Sequence, residues 1–273
     1  MNIINFTQIL KSENCYLSAD KHLLPIKNIP GLPSFIYYSL LISVIVRDSF
    51  IARIGKYSKK RWAQSSYQTI KIIESAGGKL DISGLNYIYE HNEPVVFVSN
   101  HMSMIDTLIM PTIILAFKQV AFVIKEELIK YPFWGHIMKA VNSIAVSRQN
   151  PKEDLYKVFS AGEACLKSGK SVFIFPQATR NTVFDPGSFN SLGVKLAKRA
   201  GVHVIPVALK TDFQVNGRLL KDMGAVDPHK TIYVKFGKPL KIEGNGSKTH
   251  KMVVDFISTN LKEWGGTVKE ERL

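Results

Sequence analysis

The chain has 273 residues, 45% of them hydrophobic and 21% charged, so it can bury a sizeable core and extensive disorder is not expected. The chain has 36 Lys and Arg against 22 Asp and Glu, which gives a net charge of +14. This charge favours an anionic partner: nucleic acid, a membrane surface or a phosphorylated substrate. The two cysteines, Cys15 and Cys165, lack paired spacing, which argues against a disulfide-stapled secreted domain and indicates a reducing compartment.

The first predicted element is an apolar helix at residues 34–46. It is shorter than the about 20 residues that cross a bilayer, so we expect an interfacial or re-entrant helix. A basic cluster with one tryptophan follows at residues 53–62, which favours an anionic membrane surface; a core helix before a solvated turn is the alternative. Because the chain start lacks a signal-peptide pattern, we expect attachment at the cytoplasmic face.

A second helix is predicted from Trp62 to Ala76, closed by Gly77 and Gly78. We therefore predict an N-terminal membrane-associating helical region at residues 1–76 and an α/β domain at residues 77–273.

The α/β domain is predicted from short apolar runs that alternate with helices, a pattern typical of a mixed, partly parallel sheet flanked by helices. The predicted strands are residues 79–84, 95–99, 121–125, 143–148, 171–176, 203–209 and 231–237. Helices are predicted to begin near Ser103, Pro132, Pro151, Ser188 and His250.

His101 and Asp106 follow the second predicted strand, at the edge where open α/β sheets bind ligands. With Ser103 as the helix N-cap, Asp106 could accept the Nδ1 proton of the imidazole, which would leave Nε2 to take a proton from a substrate hydroxyl. The alternative is structural, because Ser103 and Asp106 also form a capping-box-like pattern that satisfies backbone donors. The residues alone leave both alternatives open.

Basic side chains end three further predicted strands. Arg180 lies with Gln177 and Thr179 in the turn after the predicted strand 171–176. A guanidinium can bind phosphate through two hydrogen bonds. Arg148 and Lys125 end two more strands. If those strands are neighbours in the sheet, the cations form one anion-binding site.

Four blocks of the sequence, in order, resemble those of the glycerolipid acyltransferases, in particular the 1-acyl-glycerol-3-phosphate acyltransferase family. "NHMSMID" matches the NHxxxxD block, and "KEELIKYPFWGHIMKAVNSIAVSR" is similar to the second block. "FPQATR" stands where FPEGTR is usual, and "VIPVAL" takes the place of the fourth block. The blocks cover about residues 94–209, and four in order are far more specific than a single HxxxxD.

The resemblance implies transfer of a fatty acyl group from acyl-CoA or acyl carrier protein to the free hydroxyl of a lysophospholipid, with 1-acyl-glycerol-3-phosphate as the expected acceptor and phosphatidic acid as the product. It implies His101 as base, Asp106 as its orienting partner, and a substrate-binding set of Arg180, Arg148, Lys125, Thr179 and Gln177. An apolar groove for the acyl chain and a membrane-facing N-terminal helix belong to the same expectation. It implies no metal, cofactor or covalent intermediate.

The third block departs from the family pattern at two positions. Gln177 stands where Glu is usual, which removes a negative charge beside the expected phosphate site, and Ala178 stands where Gly is usual, which would strain a positive φ. A different lysolipid acceptor is therefore an alternative. A catalytically silent lipid-binding relative is another, and it predicts that His101 and Asp106 lie beyond hydrogen-bond reach or that the cleft is filled.

Other functions of basic proteins find little support in the sequence. It has no zinc spacing, no defensible helix-turn-helix pair and no RNP-like aromatic run, so nucleic-acid binding is not expected. The six histidines other than His101 lack HExxH or Cys-His spacing. We expect them to be surface or packing residues, and no metal site is predicted.

Overall fold

The computed structural model describes residues 1–19, 25–177, 179–217 and 223–270. Its α-helices are α1 Ile3–Ser12, α2 Leu32–Arg53, α3 Lys59–Ser75, α4 Asn86–Tyr89, α5 Ile105–Leu115, α6 Glu127–Lys130, α7 Trp134–Ala140, α8 Pro151–Lys167, α9 Leu192–Ala200 and α10 Ser247–Glu263. Its strands are β1 Cys15–Leu17, β2 Lys79–Ser83, β3 Val96–Ser99, β4 Val120–Lys125, β5 Ile144–Val146, β6 Ser171–Ile174, β7 Val183–Phe184, β8 Val204–Lys210, β9 Thr231–Phe236 and β10 Thr267–Val268. Short 3-10 turns occupy Pro25–Asn28 and Pro186–Ser188.

Eight strands form one sheet in the order β1-β2-β9-β8-β3-β6-β4-β5. The pairs are parallel except β1 with β2 and β8 with β9, so the predicted mixed, partly parallel sheet is confirmed. Each of the seven predicted strands is present. The sequence did not predict β1, β7 and β10, which have two or three residues each. Such short strands give little periodic signal, although the equally short β5 was predicted.

Continuous apolar runs form the central strands because helices cover both faces of the sheet. Phe97 and Phe173 point to one face, where they stack 5.9 Å apart in the core beneath α2, α3, α5 and α7. Val96 and Val98 point to the other face and join the core formed with α8, α9 and α10. β3 lies at the centre of the sheet between β8 and β6. The turn after β3 is therefore flanked by the turns that follow these two parallel neighbours.

The apolar N-terminal helix is longer than the predicted run at residues 34–46. α2 continues through Arg47 and Asp48 because the buried Asp48 carboxylate binds both Arg47, at 3.0 Å, and Arg61 of α3, at 2.9 Å. Among the residues that the structure describes, α2 is the one helix long and apolar enough to cross a bilayer, judged by length and composition. The length argument for an interfacial helix therefore does not hold.

The basic cluster at residues 53–62 divides into a buried and an exposed part. Trp62 is only 8% exposed and packs edge-on against Phe122, 5.6 Å between ring centroids, so it is a core residue and not the expected interfacial aromatic. Arg61 is tied to Asp48. The exposed cations are Arg53, Lys56, Lys59 and Lys60.

The first 76 residues also reach the sheet, because β1 pairs with β2 and α3 packs against α5. The domain boundary between residues 76 and 77 stays a prediction.

Candidate active site

Asn100 fixes the start of the turn that follows β3. Its side-chain Nδ2 donates to the Leu209 carbonyl at 2.7 Å, and its Oδ1 accepts from the Leu209 N–H at 2.9 Å. The buried amide group thus extends the pairing of β3 with β8 past the last strand residue. This contact places His101 at the carboxyl edge of the sheet.

The His101 imidazole lies between a carboxylate and an aromatic ring. Its Nδ1 is 2.8 Å from Asp106 Oδ2, and the imidazole stacks on the Phe175 ring with centroids 4.1 Å apart and an interplanar angle of 21°. The Asp106 side chain is 0% exposed and that of His101 is 14% exposed. An Nδ1–H that donates to Asp106 leaves Nε2 as the basic nitrogen of the ring.

Asp106 also folds the turn that leads into α5. The predicted N-cap at Ser103 is wrong by one residue, because the helix begins at Ile105 with Met104 as its N-cap, and Asp106 is its second residue. Its Oδ2 accepts from the Met102 N–H at 2.6 Å and from the Ser103 N–H at 3.1 Å, and Ser103 Oγ accepts from the Ile105 N–H at 3.2 Å. The two alternatives left open by the sequence are therefore one arrangement. The carboxylate that folds the turn is the same group that orients the imidazole.

Thr211, the residue after β8, was not predicted from the sequence. Its hydroxyl donates to Asp106 Oδ1, and it accepts from Ser103 Oγ at 2.9 Å. With His101, Met102 and Ser103, it gives the buried carboxylate four donors, which offset the cost of removing it from water. The only sequence signal for Thr211 is its position two residues past the fourth block.

Gln177 joins the third block to the first. Its side chain is buried, and Oε1 accepts from the His101 backbone N–H at 2.6 Å, while the His101 carbonyl accepts from the Asn181 N–H at 3.0 Å. The turn after β6 therefore holds the backbone of His101 on both sides. The expectation of a substrate contact for Gln177 stays a prediction, and the expected strain at Ala178 lies outside the described residues.

The predicted cations do end neighbouring parallel strands. β6, β4 and β5 adjoin in that order, so Arg180, Lys125 and Arg148 follow strands that end at the same edge as His101. Lys125 pairs with Glu127 at 2.5 Å. Thr179 is exposed and Arg180 is half-buried.

Arg148 and Arg180 act on each other electrostatically. Partial desolvation lowers the pKa of the Arg148 guanidinium, and the positive charge of Arg180 lowers it further, against the opposing effect of Asp154 and Glu127. Arg148 has a positive φ of 60°, and its N–H donates to Asp154 Oδ2 at 2.6 Å. Two guanidinium groups that repel each other gain from an anion that binds both.

An apolar cavity of about 70 Å³ lies beside the histidine turn. Thr107, which follows Asp106, and Leu108 line it together with side chains of α2, α3, α7 and β4. The lining includes Leu41, Val44, Ile45, Trp62, Phe122, Ile124, Leu128, Trp134, Ile137 and Met138, with the Asp48 carboxylate also in its wall. An apolar chain fits this lining better than a polar headgroup does.

The chain is similar to several known proteins. The Acyltransferase family profile matches residues 79–210. The 1-acyl-sn-glycerol-3-phosphate acyltransferase of Pseudomonas aeruginosa is 29% identical over 215 residues, which are 79% of each chain. The chloroplastic 1-acyl-sn-glycerol-3-phosphate acyltransferase LPAT1 of Arabidopsis thaliana is 28% identical over 166 residues, 61% of this chain and 44% of that one. The match thus spans less than half of the plant relative.

A similar fold occurs in a crystal structure, that of the 1-acyl-sn-glycerophosphate (LPA) acyltransferase PlsC from Thermotoga maritima. The two structures superpose with a TM-score of 0.65, covering 88% of this chain and 97% of the other. Their sequences are 18% identical, so this likeness concerns the fold alone.

Proposed function

We propose that this chain is a member of the 1-acyl-glycerol-3-phosphate acyltransferase family and that it transfers a fatty acyl group from an acyl thioester to 1-acyl-glycerol-3-phosphate, which makes phosphatidic acid. One observation carries the proposal: His101 Nδ1 lies 2.8 Å from the buried Asp106 carboxylate, at a sheet edge that also bears two arginines. A catalytically silent relative would have no need to keep this pair within hydrogen-bond reach.

The reaction follows from the orientation of the imidazole. Nε2 of His101 takes the proton from the acceptor hydroxyl as the hydroxyl oxygen attacks the thioester carbonyl carbon. The tetrahedral intermediate then collapses, the carbon–sulfur bond breaks, and the leaving thiolate takes the proton from the imidazolium. Asp106 stabilises the imidazolium between the two steps. Acyl-CoA or acyl-acyl carrier protein enters as the donor substrate, and the scheme assigns no cofactor.

The arginines hold the acceptor through its phosphate. Arg180 and Arg148 provide planar guanidinium groups that match phosphate oxygens, with Thr179 and Lys125 at the same edge. Because Gln177 replaces a carboxylate by an uncharged amide, the positive potential at this edge is stronger than with Glu at that position. A dianionic phosphomonoester gains most from that potential.

The substrates reach this site from a membrane surface. The α2 helix exposes Phe35, Ile42, Val46 and Phe50 to solvent, and large exposed apolar side chains on one element mark an interaction surface. The exposed cations at residues 53–60 follow at the carboxyl end of α2. We propose that this apolar surface contacts lipid and that the cations bind anionic headgroups of a cytoplasmic membrane face.

The experiment measures acyl transfer by the purified chain and by the His101→Ala variant, from labelled acyl-CoA and from labelled acyl-acyl carrier protein, to a panel of lysolipids. We expect transfer to lysophosphatidic acid, and a loss of about 10² to 10⁴-fold in kcat in the variant, because the base is removed. Transfer to another lysolipid only would overturn the acceptor assignment and direct attention to Gln177. Full activity of His101→Ala would remove His101 from the mechanism, and no transfer from the wild type would favour a lipid-binding function.

A further inference from the structure

Two histidines meet at the edge of the sheet opposite the catalytic pair. His203 directly precedes β8, and His91 lies in the segment that leads into β3. These strands are parallel neighbours, and the Val96 N–H donates to the His203 carbonyl at 3.0 Å. The imidazole rings of His91 and His203 pack edge to face with centroids 4.6 Å apart.

Glu93 completes a cluster with the chemistry of metal ligands. One ligand atom from each of His91, Glu93 and His203 lies within 4.8 Å of the other two. Nε2 of His91 and Nδ1 of His203 are buried, and neither finds a hydrogen-bond partner among the described residues. Most buried polar atoms in proteins make hydrogen bonds, so two unpartnered ring nitrogens in one cluster indicate a ligand.

The size of the cluster fits a first-row divalent cation. Zinc binds imidazole nitrogen and carboxylate oxygen at about 2.0 to 2.2 Å, which places tetrahedral ligands about 3.3 Å from one another. The three ligand atoms would have to move inward by about 1.5 Å at most. Glu93 is exposed and can change rotamer to approach an ion held by the two imidazoles, and its exposure also gives the ion a path from solvent.

Lys118 is the charge that opposes a cation here. Its Nζ donates to the carbonyl of His91 and, at 2.9 Å, to the carbonyl of Glu93, so the ammonium is held on the backbone of the ligand segment. These contacts fix the segment that carries two of the ligands.

We propose that His91, Glu93 and His203 bind a divalent cation of the zinc class, with water as a further ligand, and that the ion ties the amino ends of β3 and β8 together. The carboxyl ends of the same two strands carry His101 and Thr211. The ion therefore has a structural role at one edge of the sheet that supports the catalytic edge, and the proposal does not depend on the acyltransferase function.

The test titrates the chelator-treated full chain with Zn²⁺ by calorimetry and with Co²⁺ by visible absorption. We expect one ion per chain, a Co²⁺ spectrum typical of four-coordinate nitrogen and oxygen ligation, and a higher melting temperature with Zn²⁺. His91→Asn and His203→Asn should each weaken binding by more than about 100-fold, because outer partners alone are worth about 10 to 100-fold. His229→Asn, at an exposed position elsewhere, is the matched control and should bind as the wild type does.

Glu93→Gln tests the site even if the histidine variants misfold. Its side chain is exposed, and its carbonyl contact with Lys118 is unaffected, so the variant should fold and lose at least about 10-fold in affinity. Absence of one-to-one binding by the wild type would overturn the proposal, as would equal affinity of the wild type and Glu93→Gln. Acyl transfer measured on the same samples reports separately on the proposed function.

Discussion

The turn after β3 and the turns after β5 and β6 lie side by side but are built differently. In the first, both oxygens of the buried Asp106 carboxylate are bonded, and His101 is held through its ring and through its backbone. In the turn after β5, the Asp154 carboxylate also holds the backbone of Ser147 and Arg148. The side chains of Arg148 and Thr179 are nevertheless exposed, and the two arginines repel each other. The difference matches the two tasks, because proton transfer needs a fixed geometry whereas a mobile phosphate headgroup can be held by charge.

The largest effect is expected at Asp106, where the variants Asp106→Asn and Asp106→Ala are compared. The amide oxygen of Asn can still accept from the Met102 and Ser103 N–H groups, so we expect the turn to fold while kcat falls by about 10³ to 10⁴-fold, because the imidazolium loses its anionic partner. Ala removes these acceptor oxygens as well and should lower stability by about 1 to 3 kcal/mol for each buried donor that it leaves unpaired.

These two variants are compared by kinetics and by thermal unfolding. If Asn and Ala lower the melting temperature equally, the contribution of Asp106 to the folding of the turn cannot be separated from its contribution to catalysis. If Asn keeps wild-type kcat, the carboxylate serves only to build the turn.

The second test, Arg180→Ala, acts on the charged side of the contrast. Loss of charge-assisted hydrogen bonds, worth about 1.5 to 3 kcal/mol, should raise the KM of the lysolipid acceptor by about 10 to 100-fold while the thioester KM stays nearly constant. Arg180→Lys is the matched control, since it keeps the charge but not the planar fork. Steady-state kinetics with each substrate varied in turn gives the two KM values for each variant. Equal effects on the acceptor KM and the thioester KM would refute phosphate binding by Arg180.

The sequence predicted the local features of this site better than the long-range ones. The apolar runs predicted seven strands of the main sheet, and the NHxxxxD block predicted His101 with Asp106, because both signals lie within a few residues. Thr211 reaches Asp106 from a distant part of the chain, through the pairing of β8 with β3. No local pattern marks a threonine whose partner is set by strand order.

The pair His91 and His203 and the length of α2 were also beyond local sequence patterns, because both depend on contacts between distant parts of the chain. His91 and His203 have no ligand spacing in sequence, yet their strands are neighbours, so the prediction of packing histidines could not anticipate a cluster. α2 was expected to be short because Arg47 and Asp48 interrupt its apolar run. The helix continues because Arg61 of α3 joins Arg47 in compensating the buried carboxylate, a contact that only tertiary structure provides.

A third, smaller effect is expected where the two regions touch, at Gln177. Gln177→Ala leaves the His101 N–H without its acceptor, so we expect stability to fall by about 1 to 3 kcal/mol and kcat by about 10-fold, since the backbone beside the base is no longer fixed. Gln177→Glu keeps the acceptor oxygen and should retain kcat. Unfolding and kcat are measured for both variants, and equal losses in Ala and Glu would show that the contact does not position His101.

The smallest effect concerns delivery of substrate to both regions. Each Lys near an anionic surface contributes about 1 kcal/mol, so Lys56→Gln should weaken binding to vesicles that contain anionic lipid by about fivefold. Lys248→Gln, at an exposed position on α10, is the matched control and should bind normally. Wild-type binding should also weaken with added salt, because screening shortens the reach of the exposed cations. Binding is measured by co-sedimentation. If it does not change with salt, with lipid charge or with the Lys56→Gln substitution, attachment is assigned to the apolar surface of α2 alone.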